Sequence, residues 1–302
     1  MRIFSRKRRP ILSVIICIHD MNREAPRTIL SACCPYQKDV SPEDYEVIVV
    51  DNGSTSPFSL GDEVNFSPIP RIVSMPNPQP SPVFALNWAA MHLARGTHVL
   101  FAIDGARIFS DQLIANMLKA HAACADAFVY TLGCHLGSDV QMVSTIQGYN
   151  QEVEDKLIAD SGWPARSAGL YNISVFAGSS SGGFWRPIQE SNAFSMPRRL
   201  LDGLGGYHTG FTSPGGGLAN LEIFARYVQR PNAKNICLLS DMTFHQVHGG
   251  IATSGKVQYP TFAEEYLSIF GREYVRPSFD TIYLGPLRAE AAKFAKIGLC
   301  ES

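Results

Sequence analysis

The sequence lacks the features that mark several common classes of protein. Its 302 residues carry a formal net charge of −1, so it has no overall positive field for nucleic acid, and no nucleic-acid partner is expected. Its most apolar run, Ile11 to Ile18, is far shorter than the roughly 20 residues of a membrane span. His19 and Asp20 follow that run, where a signal peptide would have small residues for cleavage. We therefore expect a cytoplasmic protein.

Several short motifs are also missing. The seven cysteines form no C-x-x-C pair and have no regular spacing, which predicts buried thiols rather than a zinc site or a disulfide framework. Neither G-x-G-x-x-G nor G-x-x-x-x-G-K-[ST] follows the first predicted strand, so a dinucleotide site and a P-loop are disfavoured. The absence of G-x-S-x-G lowers the case for an α/β-hydrolase.

Positive charge is concentrated at the amino terminus, in Arg2, Arg6, Lys7, Arg8 and Arg9. Two interpretations stay open. The segment is a solvated tail, or it attaches weakly to the anionic inner face of a membrane, at about 1 kcal/mol per basic residue. We divide the chain into this basic tail (1–10), a main domain (11–250) and a C-terminal helical extension (251–302).

Buried strands alternate with helices along the main domain. Ile11 to Ile18, Tyr45 to Val50 and Thr97 to Ile103 are apolar on both faces, which is typical of a parallel sheet covered on both sides. The other elements on which the argument depends are a helix capped by Asp111, a helix from Phe194 to Leu204, a helix from Leu218 to Gln229, and C-terminal helices near 263–270 and 287–296. The fold class predicted is α/β, with a mostly parallel central sheet flanked by helices.

Polar side chains follow three of the predicted strands. His19 and Asp20 follow the first strand, Asp51 and Asn52 the second, and Asp104 the third. Ligands of open α/β sheets bind outside the carboxyl ends of the strands. Three carboxylates near one crevice favour a polar ligand, together with a cation or donor that offsets their repulsion.

Several segments, taken in chain order, resemble the sequence motifs of one enzyme family. Residues 12–19 and 45–55 are similar to strings close to SVIIPxYN and EIIVVDDGST. Further similar segments are Asn77 with Ala85–Asn87, Gly96–Asp104, Leu201–Tyr207, Leu218–Arg226 and Phe244–Gly250. Each piece is weak alone, but their common order over about residues 11–250 resembles family 2 glycosyltransferases of the GT-A fold.

This resemblance implies a site. The base of a nucleotide would contact Asp51 and Asn52 and lie in a pocket lined by Ile18 and His19. Asn87, Asp104 and Gly105 would complete the nucleotide site. Asp104 would hold Mn²⁺ or Mg²⁺ together with His245 or His248, and the cation would offset the charge of the departing diphosphate.

Two positions depart from the family pattern. The metal motif reads Asp104-Gly105-Ala106, so Ala106 stands where a second carboxylate is usual. Diphosphate and water would complete the metal shell, or Arg107 would carry part of the charge instead. The family's acidic pair, which supplies the catalytic base, aligns with Ala219-Asn220, and the amide of Asn220 cannot accept a proton.

Glu222 lies two residues beyond Asn220, about 200° around a helix. It is either the base of a single inverting displacement or half of an i,i+4 ion pair with Arg226. The function predicted by resemblance is the transfer of a sugar from a nucleotide-sugar donor, with UDP favoured, in glycan or polysaccharide biosynthesis. The acceptor would be a glycan, a lipid-linked molecule or a small molecule. The alternative is a catalytically impaired GT-A domain that binds a nucleotide or a partner. A nucleotidyltransferase is disfavoured, because residues 19–23 do not form a Gly-rich basic loop.

Overall fold

The structure is a computed structural model that describes residues 8–61, 65–249 and 259–299. Most of the basic tail (residues 1–7) therefore lies outside the described residues. The described chain forms a central ten-stranded sheet with helices on both faces. The predicted α/β class is confirmed.

Ten strands form the sheet: β1 (Leu12–Ile18), β2 (Tyr45–Asp51), β3 (Arg71–Ser74), β4 (His98–Ala102), β5 (Arg107–Phe109), β6 (Phe128–Leu136), β7 (Ser174–Phe176), β8 (Ala193–Pro197), β9 (Asn235–His245) and β10 (Ile282–Leu284). Eight of them follow the order β10-β9-β6-β8-β4-β1-β2-β3, while β5 pairs with β9 and β7 with β6. Within the eight, only β8 runs antiparallel to its neighbours.

The α-helices are α1 (Ala25–Ser31), α2 (Val83–Trp88), α3 (Leu113–Ala123), α4 (Gln141–Ser144), α5 (Gln151–Asp160), α6 (Gly169–Asn172), α7 (Arg198–Leu204), α8 (Ala219–Val228), α9 (Tyr259–Phe270) and α10 (Ala292–Ala295). Helix α2 continues as a π-helical turn over Ala89–Leu93. Pro26 lies in the first turn of α1, where its missing N–H leaves no hydrogen bond unmade.

The sheet separates two apolar cores, and β1 shows how the sequence builds both. Val14 and Ile16 pack into one core, whereas Ile15 and Cys17 pack into the other. Because successive side chains of a strand point to opposite faces, a strand covered on both sides must be apolar throughout. All seven residues of β1 are buried, as the sequence predicts.

Three predictions need correction. The segment Phe194–Leu204 is not one helix, because β8 inserts between β4 and β6 before α7 begins. Asp111 does not cap α3, whose N-terminus has no side-chain cap. Its carboxylate instead binds Lys38, Ser167 and Arg288. The C-terminal segment is not only helical, since β10 adds a parallel strand beside β9.

Candidate functional site

The ends of β1, β2 and β4 bring the predicted site residues to one edge of the sheet. From β1 the chain proceeds to β2 and β3 on one side and later returns to β4 on the other. Ligands of open α/β sheets bind where the strand order changes direction in this way, and we call the edge at the carboxyl ends of β1 and β4 the crevice. Asp51 ends β2 and Asp104 follows β4, so both carboxylates lie at this edge.

Asp104, His245 and His248 come together at the crevice. One ligand atom from each lies within 4.8 Å of the others. The two imidazole Nε2 atoms are 3.2 Å apart, and His245 Nε2 is 4.0 Å from Asp104 Oδ2. Among the described residues, this is the one group of acidic, histidine or cysteine side chains with the spacing of a metal site.

Two neighbouring strands place further charged or titratable groups beside this triplet. Arg107 on β5 and His135 on β6 are the register partners of His245. The Arg107 Nε atom donates a hydrogen bond to Asp104 Oδ2 at 3.0 Å. We call Asp104, Arg107, His135, His245 and His248 the rim cluster.

The histidines of the rim cluster are held in the neutral form. Burial, reinforced by Arg107, lowers the pKa of His245 well below its usual range. Burial and Arg107 lower the pKa of His135 to about 4, although Asp104 opposes the shift. Burial likewise lowers the pKa of His248. Neutral imidazole has a free lone pair, which is the form that binds a metal ion.

Two buried polar atoms of the rim cluster have no hydrogen-bond partner in the described part of the chain. They are Arg107 Nη1 and His245 Nδ1. Leaving a buried polar group unpaired costs about 1–3 kcal/mol, so native proteins rarely do so without a functional reason. The donor set of one carboxylate and two imidazoles fits a divalent transition metal better than Mg²⁺, which prefers oxygen ligands. The unpaired Arg107 N–H group suits an anion.

Ala106 stands where the resemblance in sequence leads us to expect a second carboxylate, and its environment is apolar. Its methyl group is fully buried in one of the apolar cores. Its backbone N–H donates to Asp104 Oδ1 at 2.9 Å, and its carbonyl accepts from Gln246 N at 2.8 Å. The His245–His248 segment is thereby fixed beside Asp104, where its imidazoles and Arg107 lie close to the carboxylate.

The segment between the two histidines is also held by residues that the sequence analysis missed. Both carboxylate oxygens of Glu154 accept from Val247 N, at 3.0 and 2.9 Å. Arg23 donates to Val247 O at 3.0 Å and to Glu154 at 3.1 Å. A signal for Glu154 was present, because it shares the buried face of α5 with Ile158. No pattern marked Arg23.

The other half of the crevice contains Asp51, Asn52 and His19. Asp51 Oδ1 accepts from Ser54 N at 2.9 Å, which is the turn-forming contact of an aspartate at a strand end. Asn52 exchanges two hydrogen bonds with the backbone of Gln79 and so fixes the proline-rich loop. His19 is exposed, and its Nδ1 atom lies 3.2 Å from Asn52 O.

Cys17 lies between the two halves of the crevice. Burial, Asp104 and Asp51 together raise the pKa of Cys17 to about 12. Both carboxylates are therefore close to one buried thiol. Gly105 packs tightly against Ile18, the residue after Cys17, since a Cβ atom at Gly105 would clash with Ile18 Cγ2.

Asn87, Asn220 and Glu222 lie on helices around the crevice. Asn87 exchanges two hydrogen bonds with the backbone of Tyr207, at 2.8 and 2.9 Å, and so holds the turn before it. Glu222 is buried and bound through both oxygens by Arg226, at 2.7 and 3.0 Å. The i,i+4 ion pair between Glu222 and Arg226, one of the two interpretations of Glu222 from the sequence, is thus formed. The Asn220 amide donates to Glu190 Oε2 at 2.6 Å.

Comparison with known proteins places the fold. No protein-family model matches the chain, and no curated protein matches it in sequence. Among solved structures, it is similar to the mannosyltransferase PcManGT from Pyrobaculum calidifontis, solved with GDP-Man and Mn²⁺. The two are 17% identical, with a TM-score of 0.50, and the match covers 89% of this chain and 66% of that one.

TarS from S. aureus, solved over residues 1–349 with UDP-GlcNAc, matches with 13% identity and a TM-score of 0.49, over 85% of this chain and 66% of that one. The chain thus spans just under two thirds of the length of both structures. The likeness to PcManGT shows that the chain has a fold of the GT-A glycosyltransferase type. Among the described residues, no helix has the length and apolar character to cross a bilayer.

Proposed function

We propose that the protein is a glycosyltransferase that uses a nucleotide-sugar donor and belongs with the family 2 enzymes that its sequence resembles. The observation that carries the proposal is the rim cluster. On a fold of the GT-A type, it places one carboxylate, two neutral imidazoles and an unpaired arginine N–H group at the mouth of the crevice between β1 and β4. A nucleoside diphosphate combines a base with two negatively charged phosphates, and the crevice offers a different surface for each part.

In this proposal the two halves of the crevice hold different parts of the donor. The base lies against Ile18, His19, Asp51 and Asn52, and the diphosphate lies near Asp104 and Gly105. Asp104, His245 and His248 would hold a divalent cation, with Mn²⁺ preferred to Mg²⁺ because two ligands are imidazoles. When bound, that cation supplies positive charge that offsets the charge of the departing diphosphate.

Arg107 acts on the same charge without a metal. Its Nη1 atom is buried and unpaired in the described chain, and its side chain lies beside Asp104. Guanidinium groups bind phosphate oxygens through paired N–H donors and stay charged at any physiological pH. Arg107 therefore binds and orients the diphosphate in our proposal.

The reaction we propose is an inverting displacement. An acceptor hydroxyl oxygen attacks the anomeric carbon, the bond from that carbon to the diphosphate breaks, and the hydroxyl proton passes to a protein base. Uridine is the base that we propose for the nucleotide, from the resemblance in sequence. Acceptors with glycan, lipid-linked or small-molecule hydroxyls all fit, in a pathway of glycan or polysaccharide synthesis.

One observation favours a second candidate. Asn220 aligns with the acidic pair that supplies the family's catalytic base, and Glu222 is paired with Arg226. If no other base serves, the protein is a GT-A domain that binds a nucleotide without turning it over. Binding and turnover must therefore be measured separately.

Isothermal titration calorimetry with UDP, GDP and dTDP tests the proposal, each with Mn²⁺ or with EDTA. We expect one nucleotide to bind in a metal-dependent way and Asp104→Ala to lose that binding. Asp160→Ala, which removes an exposed carboxylate at the end of α5, is the matched control and should bind as the wild type does. Failure of all three nucleotides to bind would refute the proposal.

A further inference from the structure

Asn220 takes part in a hydrogen-bond network that ends on a carboxylate. Its Nδ2 group donates to Glu190 Oε2 at 2.6 Å and to Ser191 O at 3.1 Å. The Tyr207 hydroxyl donates to Asn220 Oδ1 at 3.3 Å. The amide at the start of α8 therefore fixes the orientation of Glu190.

The register of β8 places Glu190 at the rim of the crevice. Strand β8 is antiparallel to β4, with Ala193 opposite Ala102, and Ile103 N donates to Asn192 O at 3.4 Å. Continuing this register, the residues before Asn192 pass beside those that follow Ile103. Glu190 thus precedes β8 at the same edge of the sheet at which Asp104 follows β4.

Glu190 differs from the other carboxylates of the site in what binds it. Asp104 is paired with Arg107, Asp51 accepts two backbone N–H groups, and Glu222 is paired with Arg226. In the described part of the chain, no cation forms an ion pair with Glu190, whose hydrogen-bond donor is the neutral Asn220 amide. The residue is half-buried.

A second observation relates Glu190 to the metal side of the crevice. Burial raises the pKa of the Tyr207 hydroxyl well above its usual range, and Glu190 and Asp104 both raise it further. Both carboxylates are therefore near the same phenol. A neutral donor on one oxygen orients a carboxylate but leaves it able to accept a proton, whereas a bound guanidinium opposes protonation.

We propose that Glu190 is the general base of the sugar transfer, with Asn220 as its positioning residue; this inference rests on the function proposed above. As the acceptor oxygen bonds to the anomeric carbon, its proton passes to a Glu190 carboxylate oxygen. The bond from the anomeric carbon to the diphosphate breaks, and its electron pair leaves with the nucleoside diphosphate. A carboxylate in the segment before β8 thus accepts the proton, which the amide of Asn220 cannot do.

Hydrolysis of the donor tests this step without knowledge of the acceptor, since water is then the nucleophile. UDP-GlcNAc and GDP-Man are incubated with Mn²⁺, and release of UDP or GDP is followed. We expect Glu190→Gln to slow release about 10²- to 10⁴-fold, the usual contribution of a general base, while the calorimetric Kd for the nucleotide stays within twofold. Glu43→Gln makes the same change at an exposed site before β2, at the opposite edge of the sheet, and should alter neither quantity.

Two further variants distinguish catalysis from a structural role. Azide has no proton to remove, so it should restore UDP or GDP release in Glu190→Ala by forming the glycosyl azide. The double variant Glu190→Gln/Asn220→Asp moves the carboxylate across the 2.6 Å hydrogen bond and should recover part of the lost rate. A residue needed only for folding would show neither recovery.

The outcomes separate the two proposals. If the wild type and Glu190→Gln both bind the nucleotide and release UDP or GDP at equal rates, the role of Glu190 is overturned and the proposed glycosyltransferase function still stands. If the wild type binds the nucleotide but releases no UDP or GDP from the donor, the role of Glu190 is also overturned, and the alternative of a nucleotide-binding domain without turnover is favoured. Absence of nucleotide binding by the wild type would overturn both.

Discussion

Two groups of ionisable side chains connect distant parts of this chain, and they differ in how fully their buried polar atoms are paired. One is the rim cluster. The other lies beneath the C-terminal segment and consists of Lys38, Asp111, Asp241 and Arg288, which we call the anchor cluster. In the anchor cluster Asp111 accepts from Lys38 at 2.7 Å, from Ser167 at 2.6 Å and from Arg288 at 2.8 Å.

The second acid of the anchor cluster is equally well bound. Asp241 accepts from Ser110 and Asn116, at 2.8 and 2.7 Å. No side-chain atom of the four anchor residues is both buried and unpaired in the described chain, whereas the rim cluster has two such atoms. The buried polar atoms of the two clusters thus differ in whether they have hydrogen-bond partners. A complete network indicates a structural role, and an incomplete one at a crevice indicates a place for a ligand.

The largest expected effect is on the anchor cluster. Arg288→Ala should lower the free energy of unfolding by about 3–5 kcal/mol, because it leaves buried Asp111 and Asp241 without their shared cation. Equilibrium unfolding in urea measures it. Arg272→Ala, at an exposed site after α9, should change stability by less than about 0.5 kcal/mol. A loss below about 1 kcal/mol in Arg288→Ala would contradict a structural role.

The rim cluster should respond in the opposite way. His245→Leu removes a proposed metal ligand and a buried nitrogen that is unpaired in the described chain, so the affinity for Mn²⁺ should fall by more than the about 10- to 100-fold that loss of an outer-shell partner costs. Stability should stay within about 1 kcal/mol of the wild type or rise, because the unpaired Nδ1 is gone. Calorimetry with Mn²⁺ and urea unfolding measure the two effects. His92→Leu, at an exposed histidine, is the control. A large loss of stability with unchanged Mn²⁺ affinity would make the rim structural.

Glu154, which holds the backbone between His245 and His248, and Asp111 of the anchor cluster should make contributions to stability with opposite dependence on pH. Burial raises the pKa of Glu154 from 4.5 to about 7, against hydrogen bonds from Val247 and Arg23. Its contribution to stability is complete below pH 4.5 and is lost as pH rises through 7, a change of up to about 3 kcal/mol at 1.36 kcal/mol per unit. Burial opposes ionisation of Asp111, but Lys38 and its other donors lower its pKa from 3.8 to about 2. Its contribution, up to about 2 kcal/mol, is present above pH 3.8 and is lost as pH falls through 2.

Urea unfolding at a series of pH values checks both signs. Glu154→Gln should remove the fall in stability between pH 4.5 and 7, and Asp111→Asn should remove the fall in the acid range. Both variants lose an ionisable carboxyl, so each is the control for the other. Stability of the wild type that rises between pH 4.5 and 7, with the rise absent in Glu154→Gln, would show that the sign for Glu154 is wrong.

The sequence predicted well where local pattern and tertiary environment agree. Strands β1, β2 and β4 were predicted to within about a residue, because residues apolar on both faces have no stable place outside a covered sheet. The approach of His245 and His248 to Asp104 followed from the resemblance in motif order. Elements formed by distant partners were not predicted. Strand β10 and the contacts of Arg288 depend on residues far away in the chain.

Strand β8 shows how one such failure hid part of the candidate site. The spacing of apolar residues in Phe194–Leu204 suits a helix, but β4 and β6 bind both edges of residues 193–197 and hold them extended. Tertiary pairing overrides local preference in such a case. With a helix assumed there, no position beside Asp104 was predicted for Glu190, and Glu222 was the carboxylate considered as the base.

The smallest effect concerns packing behind the rim. At Gly105 a Cβ atom would lie 2.4 Å from Ile18 Cγ2, whereas at Gly203 in α7 nothing lies within 4 Å. Gly105→Ala should therefore cost about 1–3 kcal/mol of stability by overpacking. Gly203→Ala should gain up to about 1 kcal/mol by the higher helix propensity of alanine. Thermal and urea unfolding of both variants measure the pair. Because our proposal places Ile18 on the base side of the crevice and Asp104 precedes Gly105, a shifted Ile18 should also weaken nucleotide binding in Gly105→Ala and not in Gly203→Ala. Equal stability of the two variants would mean that Ile18 moves aside at little cost, and that the crevice tolerates more change than the anchor cluster does.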